Sequence, residues 1–175
     1  IMIPAGNNGP DKDLAAKLEG NGSGTYKTYI THYLSDGGYD AILNRIRSFN
    51  FDPQKDDVSV VYVPTYLNGN DGIFNKKYYD LLPGMDLTAF PSYYEPWGYT
   101  PLESLAFRVP TITTTLAGFG VWVNDNYKNN HPGIAILQRD DSNYPKVVEG
   151  VVEKIKETAG LSASQENDYK ANAKD

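Results

Sequence analysis

Two carboxylates, Glu95 and Glu103, stand eight positions apart in the run Phe90-Pro91-Ser92-Tyr93-Tyr94-Glu95-Pro96-Trp97-Gly98-Tyr99-Thr100-Pro101-Leu102-Glu103. The same run holds three prolines, one glycine and five aromatics. Ionised carboxylates accept hydrogen bonds from hydroxyl groups. Gly98 lets the chain turn and lets a ligand approach the backbone closely. Thr100 is a good N-cap, Pro101 fits the first helical position, and Glu103 falls three residues after Thr100, which predicts a capping box. Amides around Gly98, Tyr99 and Thr100 then lie at the positive end of a helix, where phosphate oxygens bind well. Alone, Thr-Pro-x-Glu need do no more than cap a helix. The flanking Glu-Pro-Trp-Gly-Tyr exceeds what capping requires. A polar ligand with hydroxyls and phosphates is the chemistry this run can serve.

The elements that must position it alternate in type. Strands are expected at residues 1–3, 58–63, 87–90, 111–115 and 133–137. Helices are expected at 11–19, 39–49, 75–82, 101–107 and 144–158. Residues 7–10 read as a turn and the Gly-Asn-Gly-Ser-Gly of 20–24 as a flexible loop. Ile42, Leu43 and Ile46 share one helical face, and Val147, Val148, Val151 and Ile155 another. The run 58–63 is mostly apolar, as in a strand buried on both faces. Such alternation predicts an α/β fold: a Rossmann-like parallel sheet with helices on both faces. Ligands in these sheets bind at the carboxyl ends of the strands, and Glu95 directly follows one. Residues 1–160 are expected to form one domain. Residues 161–175 form a polar tail expected to fray. Ile1 begins inside an apparent strand, so a longer parent protein is expected.

Composition excludes several classes. The net charge is −6 with pI near 4.9, which argues against nucleic acid or an anionic membrane as partner. There is no cysteine, so disulfides and thiolate metal sites are out. No apolar run approaches the roughly 20 residues that span a bilayer, and a cytoplasmic location is expected. Asp11-Lys12-Asp13 has the D-x-D form of some metal-binding sites, but acidic residues at a helix start are ordinary. His32 and His131 are too far apart in sequence to suggest a metal pair; His131, before Pro132-Gly133, reads as surface, and His32 is assigned no chemistry. Asn124-Asp125-Asn126 reads as a polar loop or helix end, since the later acidic ligand of a calcium loop is missing.

The run from Glu95 resembles the donor-site signature of glycogen synthases of the animal and fungal branch, glycosyltransferase family three. Those carry Tyr-Glu-Pro-Trp-Gly-Tyr-Thr-Pro and then a second Glu, the E-x7-E pattern of retaining glycosyltransferases. The similarity continues through Val109-Pro110-Thr111-Ile112-Thr113-Thr114-Thr115-Leu116-Ala117-Gly118-Phe119-Gly120, like the family's V-P-S-x-T-T-N-L-S-G-F-G. Ile1-Met2-Ile3-Pro4-Ala5 resembles I-I-M-P-A. Thr31-His32 with Asp40-Ala41-Ile42-Leu43 resembles T-H…D-P-I-L, and Val63-Pro64-Thr65-Tyr66-Leu67 resembles H-P-E-F-L. The resemblance spans about residues 1–140 and is strongest over 85–120.

The resemblance implies the C-terminal, nucleotide-binding domain of a GT-B enzyme. It implies glucose transfer from UDP-glucose to the non-reducing end of an α-1,4-glucan with retention, and no metal or other cofactor. Glu95 would contact glucose hydroxyls and stabilise positive charge at the sugar. Amides from Trp97 through Gly98 and Tyr99 to Thr100 would hold glucose and diphosphate, and Glu103 the ribose. Tyr66 and Tyr78 match aromatics that stack on the uracil. The pair is not a glycosidase acid and nucleophile, which must flank one bond. By the same resemblance, the basic diphosphate clamp and the glucan-acceptor domain lie upstream, so the chain alone is expected to be inactive. The stretch between Ala5 and Thr31 is shorter than the insertion that supports tetramers, and the arginine-rich helix that senses glucose 6-phosphate is unmatched. A simpler, unregulated relative of bacterial kind is expected, with oligomerisation open. Two other readings stand: another retaining GT-B enzyme, or a non-catalytic nucleotide-sugar-binding module.

Overall fold

The computed structural model describes residues 7–10, 28–49, 60–127 and 131–172. The strand expected at 1–3, the helix at 11–19 with its Asp11-Lys12-Asp13, and the loop at 20–24 lie outside them. The chain divides into two compact units, Ile1–Asp80 and Leu81–Asp175.

In the first unit, β1 (Asn7–Pro10) and β3 (His32–Leu34) pair antiparallel. Residues 7–10 are thus a strand rather than the expected turn: pairing with β3 overrides a composition that locally favours turning. β2 (Thr28–Ile30) runs parallel to β4 (Val60–Tyr62). Helix α1 (Ala41–Ser48) starts where Asp40 caps it, its Oδ1 accepting from the Leu43 amide at 2.7 Å. Leu43 is buried, but Ile42 faces solvent, so the apolar face is narrower than the spacing suggested. Val61 is likewise exposed, so β4 is not covered on both faces. Helix α2 (Tyr78–Leu81) is half the expected length. Asn75 sits at φ 50°, a left-handed conformation that cannot belong to the helix.

The second unit carries a sheet of order β5 (Thr88–Ala89), β6 (Thr111–Thr114), β7 (Ile134–Leu137), all parallel. Each strand is followed by a helix: α3 (Tyr99–Ala106), α4 (Gly118–Tyr127) and α5 (Tyr144–Ala159). Leu105 of α3, Phe119 and Val123 of α4 and Ile134 of β7 form one buried cluster, with Ile136 and Trp97 packed on it. Side chains alternate along a strand, so Leu137 points to the opposite face, where Gly150 of α5 meets it. Helices therefore flank both faces, and all four residues of the central strand β6 are buried, as a doubly covered parallel sheet requires. On α5 only Val147 is fully buried; Val148 and Ile155 are exposed, contrary to the expected inward set.

Two helices are longer or newer than the sequence suggested. Asn124-Asp125-Asn126 is the last part of α4, whose earlier turns were not anticipated. The tail expected to fray instead forms α6 (Ala163–Asn172). Ser162 and Gln165 start it as a capping box: the Ser162 amide donates to Gln165 Oε1 at 3.0 Å, and the Gln165 amide to Ser162 Oγ at 3.4 Å. Lys170 of the same helix pairs with Asp86 at 2.9 Å.

Candidate functional site

Parallel strands β5, β6 and β7 deliver three loops to one edge of the sheet: Phe90 to Trp97, Thr115 to Ala117, and Gln138 to Arg139. The first loop is fastened along its length. The Phe90 amide still donates to the Ile112 carbonyl at 2.8 Å, extending the ladder beyond β5. Thr114 Oγ1, at the end of β6, donates to the Ser92 carbonyl at 2.8 Å. The Glu95 amide donates to the Leu116 carbonyl at 3.1 Å, and the Glu95 carbonyl accepts from Gly118 at 3.1 Å. The Trp97 carbonyl accepts from Phe119 at 2.6 Å. Glu95 thus has its backbone pinned on both sides while its side chain remains exposed.

Gly98 then turns the chain into α3. It has φ 96° and ψ 76° and is itself the N-cap, with no side chain capping the helix. The expected capping box of Thr100 and Glu103 does not form, because the left-handed glycine starts the helix at Tyr99, before Thr100 can act as its cap. Pro101 falls at the third helical position, where a missing N–H still costs nothing. The same geometry leaves the amides of Gly98, Tyr99 and Thr100 without acceptors inside the helix, at its positive end. Glu95 lies over this turn: a Cβ built on Gly98 would be 3.3 Å from Glu95 Cγ. A carboxylate and free helix amides share one mouth, as an anionic ligand with hydroxyls needs.

Of the residues expected at this site, Glu95, Gly98, Tyr99 and Thr100 come together at the α3 N-terminus. Glu103 is on the following turn of α3, half-buried. The Trp97 ring turns away into the apolar cluster, edge-on to Phe119 at 5.8 Å, leaving its backbone at the mouth. Tyr66 and Tyr78 belong to the first unit. There the Tyr78 amide donates to the Leu67 carbonyl at 2.9 Å, which brings the two tyrosines onto neighbouring segments. Tyr66 is exposed, and the Tyr78 ring meets Tyr79 edge-on at 5.3 Å.

Three features escaped the sequence. Arg139, at the carboxyl end of β7, is only 5% exposed, and its guanidinium lies 3.5 Å over the Tyr93 ring. Nothing in Gln-Arg-Asp-Asp announces a buried cation. His32, left without chemistry, is buried and structural: Nε2 donates to the Asp71 carbonyl at 2.8 Å, and Nδ1 meets Thr31 Oγ1 at 2.9 Å. His131 is half-buried rather than plain surface, with Nδ1 accepting from the Gly133 amide. Among the described residues no group of three or more His, Cys, Asp or Glu could hold a metal ion, and no helix is long and apolar enough to cross a membrane.

A sequence model of the glycogen synthase family matches residues 22–172. Glycogen [starch] synthase isoform 2 of Saccharomyces cerevisiae is 37% identical over 146 residues, covering 79% of this chain and 21% of that protein. The Neurospora crassa glycogen [starch] synthase is 38% identical over 117 residues, 66% of this chain and 17% of its own. The liver glycogen [starch] synthase of Mus musculus is 39% identical over 111 residues, 62% of this chain and 16% of its own. The chain spans about a fifth of the length of the curated relatives it matches.

Proposed function

The chain belongs to the glycogen synthase family, and from that premise we propose that it is the donor-binding part of a retaining glucosyltransferase. The full-length protein moves glucose from UDP-glucose to the non-reducing end of an α-1,4-glucan. The observation that carries this reading is the seating of Glu95 over Gly98, with unspent helix amides beside it.

Each group has a role in this reading. Amides of Gly98, Tyr99 and Thr100 take the diphosphate oxygens, whose negative charge grows as the bond to the sugar breaks. Fixed dipoles aimed at developing charge are worth more in the transition state than in the ground state. Glu95 accepts from glucose hydroxyls and opposes the positive charge appearing at the anomeric carbon. Glu103 accepts from ribose hydroxyls. Tyr66 and Tyr78 stack on the base, since a flat ring offers a rigid apolar face. The reading calls on no metal, and chelation is expected to leave transfer unchanged. It sets the protein in the cytoplasm, where nucleotide sugar and glucan meet.

The test is an amide-shift titration of the chain with UDP, UDP-glucose and ADP-glucose. Shifts at residues 97–103 and at Tyr66 and Tyr78, larger for the uridine ligands, are expected. Larger shifts with ADP-glucose would move the donor to an adenine nucleotide. Full-length protein that binds UDP-glucose but transfers no glucose to a glucan would leave the binding module as the surviving reading. The isolated 175 residues are expected to bind without transferring.

A further inference from the structure

We propose that Arg139 is a positioning residue for glucosyl transfer: it straps the Pro91–Tyr93 segment to the end of β7 and so fixes the approach of Glu95. This rests on the transferase reading above.

The geometry of the strap is complete at both ends. At its base, the Arg139 amide donates to Thr115 Oγ1 at 3.0 Å, tying the residue to the end of β6. At its tip, Nη1 donates to the Pro91 carbonyl, and the guanidinium carbon lies over the Tyr93 ring, 3.5 Å from its centroid. Glu95 is two residues beyond Tyr93. Between them stands Tyr94, which is exposed. Upstream of Glu95 the loop is therefore held by Thr114 at Ser92 and by Arg139 at Pro91 and Tyr93.

The charge itself is costly. Among the described residues no carboxylate pairs with Arg139, and its buried Nε has no hydrogen-bond partner. A buried cation without a counter-charge works against stability, and an apolar side chain of similar volume would be tolerated or better. Such a cost is expected at functional sites. A planar cation suits the task, because one flat group can both donate in its plane and stack on a ring. Lysine supplies the charge without the plane.

The experiment uses the full-length protein and the variants Arg139→Met and Arg139→Lys, with Val147→Ala as a buried control on α5. Wild-type transfer to glucan is measured first. Its absence would sink the transferase reading and leave the strap to be judged by hydrogen exchange at the Glu95 amide. With transfer present, Arg139→Met is expected to lower kcat about 100-fold while the donor KM stays within about threefold. Its melting temperature is expected to stay within about 2 °C, and the Glu95 amide to exchange about tenfold faster. Arg139→Lys is expected to retain part of the rate, about tenfold below wild type. If Arg139→Met fails to fold, the lysine variant carries the test. Wild-type kcat and Glu95 exchange in either variant, or a rate loss no greater than Val147→Ala shows at equal loss of melting temperature, would overturn the proposal.

Discussion

Gly118 presses against the Pro96 carbonyl so closely that a Cβ there would lie 2.2 Å from its oxygen. The contact is backbone on backbone, at the first residue of α4, with the Glu95 carbonyl accepting from the same Gly118 amide. No rotamer change can relieve it, because neither partner is the flexible end of a side chain. Gly118→Ala is expected to cost about 3 kcal/mol of stability and to push the Glu95 loop off α4. Chemical denaturation should show the loss, and transfer by whatever remains folded should fall at least about tenfold. An alanine variant of wild-type stability and rate would mean that the two backbones part easily, and that the placement of Glu95 does not depend on them.

Glu95 and Glu103 should separate kinetically. Glu95 lies over the Gly98 turn, where the proposed function puts the sugar and has Glu95 act as charge develops. Glu95→Gln is expected to lower kcat by about 10² to 10³ with a small change in donor KM. Glu103 is a turn further along α3, and a ribose contact is made equally before and during transfer. Glu103→Gln is expected to raise donor KM about tenfold and leave kcat nearly unchanged. Steady-state kinetics with varied UDP-glucose reads both. The reverse pattern would exchange the two roles.

The strand–loop–helix order around this site was legible because its signals are local. Apolar β-rich runs end at Ala89 and Thr114, and Gly98 and Pro101 punctuate the helix start. What failed was the identity of the cap. Thr-Pro-x-Glu has the right spacing, but Gly98 adopts a left-handed turn first, and position in space rather than spacing decided which residue capped α3. The capping box that does form, at Ser162 and Gln165, is not legible in the sequence because the polar run after it has no apolar face to mark a helix. Helix α4 was hidden for the opposite reason: Val121 and Trp122 are exposed beside the buried Phe119 and Val123, which blurs the helical period. Arg139 could not be found from sequence at all. Its burial depends on Pro91 and Tyr93, almost fifty residues earlier in the chain.

Helix α3 closes on a residue that opposes its own conformation. The Arg108 amide donates to the Leu105 carbonyl and the Val109 amide to the Ser104 carbonyl, both at 2.8 Å, the pattern of a Schellman close. Arg108 holds the left-handed position of that motif, at φ 61°, where glycine is usual. Its side chain is exposed, so little packing offsets the strain. Arg108→Gly is expected to raise stability by about 1 kcal/mol, read as an upward shift of the denaturation midpoint with transfer unchanged. A loss of stability would mean the arginine side chain supplies more than the turn costs.

Acid should loosen the first unit through Asp71. Burial pushes this carboxyl up, but the amides of Phe74, Ile73, Asp71 itself and Asn75 outweigh it and hold it below the ordinary aspartate value. The bonds are short: Oδ1 accepts from Ile73 at 2.9 Å and from Phe74 at 2.8 Å, and Oδ2 from Asn75 at 2.9 Å. The depressed value means the unfolded chain takes up this proton first. The stabilisation is fully present above the unfolded value of about 4 and is lost as pH falls through the folded one. Denaturation midpoints measured from neutral pH down to about pH 3 should therefore drop. Asp71→Ala is expected to remove this part of the slope and to cost about 2 kcal/mol at neutral pH, since three amides lose their acceptor. The same loop holds His32 through the Asp71 carbonyl, so exchange at the amides of residues 73–75 and loosening of the His32 ring should appear together. A variant whose acid slope matched wild type would place the acid-sensitive group elsewhere.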